Sequence, residues 1–437
     1  MKVLHLIGSL ENGGAEAVLV RLVTAPSDVQ HRVVSIGPAE WYSEELAAAG
    51  VDLHHLDLRG PASFPAAVRR LKRLIDAFEP DLIQSWMYRA NMLAGVLGMI
   101  ARVPVVWGIH CTNFGRPLRL RSRTLARLSG LTAGWLPSRV ISCSALAQEA
   151  HDPIGYRRAP STVVANGYDI GRFRPLEPGE QDLRADWQLP ADTFVIATVA
   201  RWHPEKDHAN LLNALALLRD QLPSGWACIL VGPDIDASNP VLTRLIRKLG
   251  LEDRIICLGA RRDVDRIMRS VDLHVLSSAS EAFPNVVAEA MASGTPCVVT
   301  DTGDCGLLVG ASGWVAPPRS PQPLAAAILD AYHTGKSDTA AWDERRKMAR
   351  AGIAESFTIA RMSAGYEDAW RETLITSNLP AREREGIKGW AFANRDRYEA
   401  HPRPIMTAGS SPRRTKEPSG SHAGGEKSAS RNDPASP

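Results

Sequence analysis

Ser280-Glu281-Ala282-Phe283-Pro284-Asn285-Val286-Val287-Ala288-Glu289-Ala290-Met291 carries two carboxylates, Glu281 and Glu289, across a turn-to-helix junction. An apolar, strand-like run from Val271 to Leu276 precedes it. Pro284 fits the first turn of a helix, where a missing N–H costs nothing. The helix is predicted over Asn285–Ala292, stopping at Gly294 with Pro296 just beyond. Glu281 then lies in the loop before the helix and Glu289 one to two turns in. Backbone N–H groups around Phe283 to Val286 are left to meet an anion at the helix N-terminus. Such a segment suits a phosphorylated, polyhydroxylated ligand, with amides for phosphate, one carboxylate for sugar hydroxyls and the other for a ribose diol. A surface helix with two solvated glutamates is the plain alternative.

Working outward, short apolar runs alternate with helical patterns, which predicts doubly wound parallel sheets. The first half offers strands at Val3–Ile7, Arg32–Ile36, Asp52–Leu56, Leu82–Gln84, Val105–Trp107, Val140–Cys143 and Thr162–Val164. Helices fit between them at Ala15–Val23, Phe64–Phe78 and Arg89–Ile100. Around Gly167 to Glu180 the pattern dissolves into Gly, Pro and charged residues, the mark of a linker. A second series follows at Phe194–Val199, Ala227–Val231, Arg254–Leu258, Leu273–Leu276, Cys297–Val299 and Trp314–Val315, with helices at Ala209–Arg219, Pro240–Leu249 and Val264–Arg269. Two βα domains facing one another would form a cleft at the carboxyl ends of their strands. A last helical pattern spans Ile359–Leu374; beyond Thr376 the chain turns polar, and residues 402–437 read as disordered.

A chain of 437 residues is too long for one ordinary core. Its net charge of +3 names no partner class. Six scattered cysteines without a C-x-x-C pair read as reduced structural thiols of a cytoplasmic protein. Lys2 leads straight into a strand, with no signal-peptide pattern. The most apolar stretch, Met92 to Val106, is broken by Arg102 and Pro104 and is too short to span a bilayer.

Three further segments carry chemistry. Gly8-Ser9-Leu10-Glu11-Asn12-Gly13-Gly14-Ala15-Glu16 is a glycine-rich strand-to-helix turn that lets backbone approach a phosphate. Its spacing is not that of a dinucleotide fingerprint, which argues against a nicotinamide-dependent dehydrogenase. Arg201 and Lys206, after the first strand of the second series, can both reach a diphosphate, one through a planar fork and one as a point charge. His110 follows a strand of the first series and points at the same cleft. Two D-x-D pairs, Asp234/Asp236 and Asp263/Asp265, read as loop and helix-start acids, with Asp263 a candidate N-cap. No His/Cys cluster has zinc spacing, so no metal and no cofactor are expected. Between Asp81 and Glu149 there is no acidic residue but eight arginines. The Arg116–Arg127 cluster, interleaved with leucines, suits an anionic membrane surface or an acceptor on a lipid diphosphate. An arginine-rich solvated helix is its alternative reading; no nucleic-acid-binding module accompanies it.

Ser280 to Asp304 resembles the donor-site signature of GT4-like retaining glycosyltransferases (group 1), which have the GT-B fold; Ala282 stands where many members carry Gly. Gly13-Gly14-Ala15-Glu16, the R-x4-K segment, His110 and Asn166-Gly167-Tyr168-Asp169 resemble further parts of that family in the expected order. The resemblance implies an acceptor-side Rossmann-like domain over residues 1–175, a nucleotide-sugar donor domain over 176–357, a helix crossing back over 358–375 and a low-complexity tail over 376–437. It implies that Glu281 and His110 hold the transferred sugar, and that Glu289 takes the ribose. Arg201 and Lys206 would serve the diphosphate, and Gly14, Ala282, Phe283, Pro284, Asn285 and Val286 the donor. The expected activity is metal-independent retaining transfer of a hexosyl-type sugar, from a UDP-sugar by preference, to a glycan or lipid-linked glycan in polysaccharide assembly. A noncatalytic nucleotide-sugar-binding paralogue and a GT-B nucleotide-sugar epimerase are the alternatives.

Overall fold

A computed structural model describes residues 1–112, 120–219, 221–222 and 225–377. The low-complexity tail expected over 376–437 therefore lies outside the described residues, apart from Thr376 and Ser377, which end the last helix.

The first sheet contains β1 (Lys2–Ile7), β2 (Gln30–Ser35), β3 (Asp52–His55), β4 (Leu82–Trp86), β5 (Val105–Ile109), β6 (Arg139–Ser142) and β7 (Ser161–Val163). The second contains β8 (Phe194–Val199), β9 (Trp226–Val231), β10 (Ile255–Cys257), β11 (Leu273–Leu276), β12 (Cys297–Thr300) and β13 (Trp314–Ala316). Their orders are β3-β2-β1-β4-β5-β6-β7 and β10-β9-β8-β11-β12-β13, with every pairing parallel. Strands of this kind are covered by helices on both faces, which is why β4, β5, β8 and β9 are buried along their whole length. The fold is GT-B: two Rossmann-like α/β domains. The strand order reverses between β1 and β4 in one sheet and between β8 and β11 in the other, the switch points where α/β sheets open toward ligands. The glycine-rich loop follows β1, the Arg201–Lys206 loop follows β8, and the Glu281 loop follows β11.

The predicted helix over Ile359–Leu374 extends to Ser377 and packs on the first domain. Its Met362, Tyr366, Ala369 and Trp370 join the core formed by Val3, Ile7, Leu19 and Trp86. Trp370 Nε1 donates to Gln84 Oε1 at 2.9 Å, which answers a buried amide on β4. Where the chain crosses between domains its two passes lie side by side. Tyr168 N–H donates to Phe357 O at 2.8 Å, and a Cβ at Gly167 would stand 2.7 Å from Thr358 O.

Two local expectations need correction. Asp263 precedes the Val264–Ser270 helix but does not cap it with its side chain. Both its oxygens are taken by the Arg261 guanidinium, at 2.8 and 2.7 Å, a bidentate charged pair that outcompetes a single backbone N–H. Pro284 is not inside the first turn; it is the residue just before the Asn285–Ala292 helix.

Buried histidines set the acid stability. Burial pushes His110, His151 and His208 down to about 4 and His274 to about 3. The unfolded chain takes these protons near pH 6.5 and the folded chain refuses them. Their contribution is therefore complete above pH 6.5 and is lost as pH falls from there toward 4. Urea midpoints are expected to be level from pH 8 to 7 and to drop steeply between pH 6.5 and 5. A flat profile across that window would contradict buried neutral imidazoles.

Candidate functional site

One cavity of about 1230 Å³ lies between the carboxyl ends of the two sheets. The eleven residues expected to hold the donor line it: Glu281, His110, Arg201, Lys206, Gly14, Ala282, Phe283, Pro284, Asn285, Val286 and Glu289. They fall into two charged clusters and one neutral wall.

The first cluster gathers on Glu281. Its Oε1 accepts from Lys206 Nζ at 2.6 Å and from Ser278 Oγ at 2.6 Å. Read from sequence, Glu281 and Lys206 were separate groups for separate parts of a ligand; the structure joins them. Thr112, from the loop after β5, donates to the Glu281 carbonyl across the cleft. Gly303 has φ +54, and a Cβ there would lie 2.5 Å from Glu281 O, so only glycine lets its loop close against this turn. Arg201 is exposed and makes no ion pair among the described residues. Glu16, in the Gly13-Gly14-Ala15-Glu16 turn, lies over Gly13 and takes Ser9 Oγ at 3.3 Å. Burial pushes the Glu16 carboxyl up while Ser9 and, more weakly, Arg201 pull it back.

The second cluster belongs to the Asn285–Ala292 helix. The N–H groups of Asn285 and Val286 have no acceptor among the described residues, as a helix N-terminus dictates, and neither has that of Phe283 just before it. The Asn285 side chain, by contrast, makes three hydrogen bonds to the first domain and its crossing segment. Its Oδ1 accepts from Asn166 Nδ2 at 2.9 Å and Tyr168 Oη at 2.6 Å, and its Nδ2 donates to Gly14 O at 3.4 Å. One turn later Glu289, buried on the same helix, is ion-paired with Arg21 from the Gly14–Val23 helix. Burial pushes the Glu289 carboxyl up, against the pull of Arg21. The guanidinium also donates to Gly167 O at 3.3 Å and lies 4.8 Å over the Tyr168 ring.

The neutral wall is His110. Its ring stacks on Trp86 at 5.1 Å and its Nε2 lies 3.4 Å from Tyr366 Oη on the last helix. Held near pKa 4 by burial, it is an uncharged imidazole at neutral pH.

Arg21, Thr112 and Tyr366 escaped sequence reasoning. Arg21 carried the one usable signal: it lies two helical turns after Gly14, on the same face of an amphipathic helix. Nothing local marks Thr112 or Tyr366, which reach the site from other elements.

Residues 193–334 match the family of glycosyl transferases group 1, and residues 12–172 match glycosyltransferase family 4. The chain belongs to the GT4-like group 1 glycosyltransferases. It is 27% identical over 433 residues to a D-inositol 3-phosphate glycosyltransferase of Streptomyces griseus, covering 88% of this chain and 89% of the relative. It is 26% identical over 319 residues to the glycosyltransferase EpsF of Bacillus subtilis, covering 69% and 79%. Among solved structures, Anabaena HepE, crystallised with UDP and glucose, superposes with a TM-score of 0.75 at 27% identity, covering 85% of this chain and all of that one.

The Asn285 hydrogen bonds tie this glycosyltransferase together across its cleft. A double-mutant cycle of Asn285→Ala with Asn166→Ala, read by chemical unfolding, is expected to give a coupling of about 1 kcal/mol. Additive losses would mean that the two amides are not joined.

Proposed function

We propose that this enzyme transfers a hexosyl-type sugar from a nucleotide diphosphate sugar, a UDP-sugar first, to a hydroxyl of a glycan or lipid-linked glycan, with retention and without a metal. The observation that carries the reading is the Glu281–Lys206 ion pair set beside Arg201 and the helix-terminal amides in one cleft. Residues 1–175 would take the acceptor and 176–357 the donor. Arg201, Lys206 and the amides of Phe283, Asn285 and Val286 would receive the diphosphate, a set of cations and N–H dipoles able to take up leaving-group charge. Gly14, Ala282 and Pro284 would shape the backbone around it. Glu281 and His110 would hold the sugar, the histidine as a neutral hydrogen-bonding group, and Glu289 the ribose.

In the proposed step the bond from the anomeric carbon to the phosphate oxygen breaks and its electron pair leaves with the diphosphate. The acceptor oxygen bonds to the same face of that carbon, and its proton passes to the departing phosphate oxygen. The residues' work is then positioning and charge stabilisation. The UDP in the HepE crystal supports uridine as the first base to try. Polysaccharide assembly is supported by such relatives as a lipopolysaccharide core glycosyltransferase of Rhizobium meliloti.

Nucleotide release is expected from one donor in a panel of UDP-, GDP- and ADP-sugars with EDTA present. Lys206→Ala and Glu281→Ala are each expected to lower it about 10²–10³-fold. Full activity in both variants would refute the site, loss of activity with EDTA would refute metal independence, and binding without turnover would favour a noncatalytic paralogue.

A membrane-facing side completes the reading. No helix among the described residues is long and apolar enough to cross a bilayer. Parallel packing of the Met87–Ala101 and Leu120–Thr132 helices sets Thr132 against Met92 and Leu136 against Gly95. Val96, Met99 and Ile100 on the first and Leu128 and Leu131 on the second are exposed, and the neighbouring Trp135 is 82% exposed. Arg102 and Arg127 flank them on a stretch without an acid, matching an anionic bilayer. Of the Arg116–Arg127 cluster, residues 116–119 lie outside the described residues. Co-flotation with phosphatidylglycerol vesicles but not phosphatidylcholine vesicles is expected, weakened by Trp135→Ser with Met99→Ser; flotation unchanged in that variant would move the contact elsewhere.

A further inference from the structure

Glu289 is held from the opposite domain. Its side chain is 10% exposed and that of its partner, Arg21, 16%, yet both line the cavity. Arg21 takes Oε1 of the carboxylate; Oε2 accepts no hydrogen bond among the described residues. The guanidinium itself is fixed at two more points, by Gly167 O and the Tyr168 ring. Tyr168 in turn donates to Asn285, one turn before Glu289 on the same helix. A guanidinium anchored at several points holds the carboxylate oxygen it grips in one place, as a flexible point charge does not. A buried carboxylate with one oxygen so held has its other oxygen aimed and available for ligand hydroxyls.

We infer that Arg21 is a positioning residue for nucleotide recognition: reaching across the cleft, it orients the Glu289 carboxylate so that its free oxygen accepts the ribose hydroxyls of the donor. This rests on the reading of Glu289 as the ribose-binding group. It has a consequence for how the two domains cooperate. The diphosphate contacts lie on the donor domain, whereas ribose recognition needs a residue of the acceptor domain and is complete only when the two are together.

The test compares UDP with 2′-deoxy-UDP and 3′-deoxy-UDP by calorimetry on the full-length protein. Wild type is expected to favour UDP over at least one analogue about tenfold or more, the size of hydrogen bonds to a charged group. Arg21→Ala is expected to bring that ratio to within about twofold while leaving affinity for the same deoxy analogue within about twofold of wild type. Arg21→Lys, which keeps the charge but not the fork, is expected to fall between, and it alone carries the comparison should the alanine variant fail to fold. A wild-type ratio in the Arg21 variants, with the ratio abolished in Glu289→Ala, would overturn the role of Arg21 and leave that of Glu289 standing. Equal weakening of UDP and the analogue by Arg21→Ala would reduce Arg21 to a structural tie and also overturn the inference. A ratio near one in wild type, or one that survives Glu289→Ala, would remove the ribose reading and the inference with it.

Discussion

A carboxylate taken out of water must be answered by a cation or lose its charge, and Glu289 sits in the buried part of its helix, among Val287, Ala288, Ala290, Met291 and Ala292. Val287, Ala288, Ala290 and Met291 fix the Asn285–Ala292 helix against its own sheet. With that face committed, Asn285 and Glu289 are left pointing at the other domain, and both find their partners there. Gly14 and Arg21 come from one helix of the first domain, and Asn166 and Tyr168 from the crossing segment. These few polar groups join the two domains across the cavity and set the aim of its second carboxylate.

The first cluster works under the opposite constraint. Lys206 and Glu281 are on the same domain, on loops after β8 and β11, so their pairing needs no closure. Arg201 stands exposed nearby. The site thus combines a charged pair within one domain with a cation that is free of ion pairs among the described residues, an arrangement that suits the proposed diphosphate. Opposite them His110 is kept neutral between Trp86 and Tyr366. The last helix therefore does more than close the fold: Tyr366 and Trp370 buttress the wall that faces the ligand.

Much of this architecture was legible in the chain. Strand-length apolar runs separated by helical periodicity exposed both sheets, because a parallel strand covered on both faces must be apolar throughout. All thirteen strands lie where that pattern puts them, within a few residues at their ends. The turn before Asn285 and the helix that carries Glu289 were readable because helix start signals are local features of a dozen residues.

The two-sheet α/β fold, the family and the positions of the loops after β1, β8 and β11 could all be read along the chain, since each depends on periodicity or on residues close in sequence. Only the tertiary structure decided which charges meet. Arg21 lies 268 positions from Glu289, and Lys206 lies 75 from Glu281; no local pattern records such pairs, because they arise from burial and from the facing of two domains. The same reason explains the lapse at Asp263: cap propensity is local, whereas the bidentate hold of Arg261 is settled by side-chain geometry once the loop has folded.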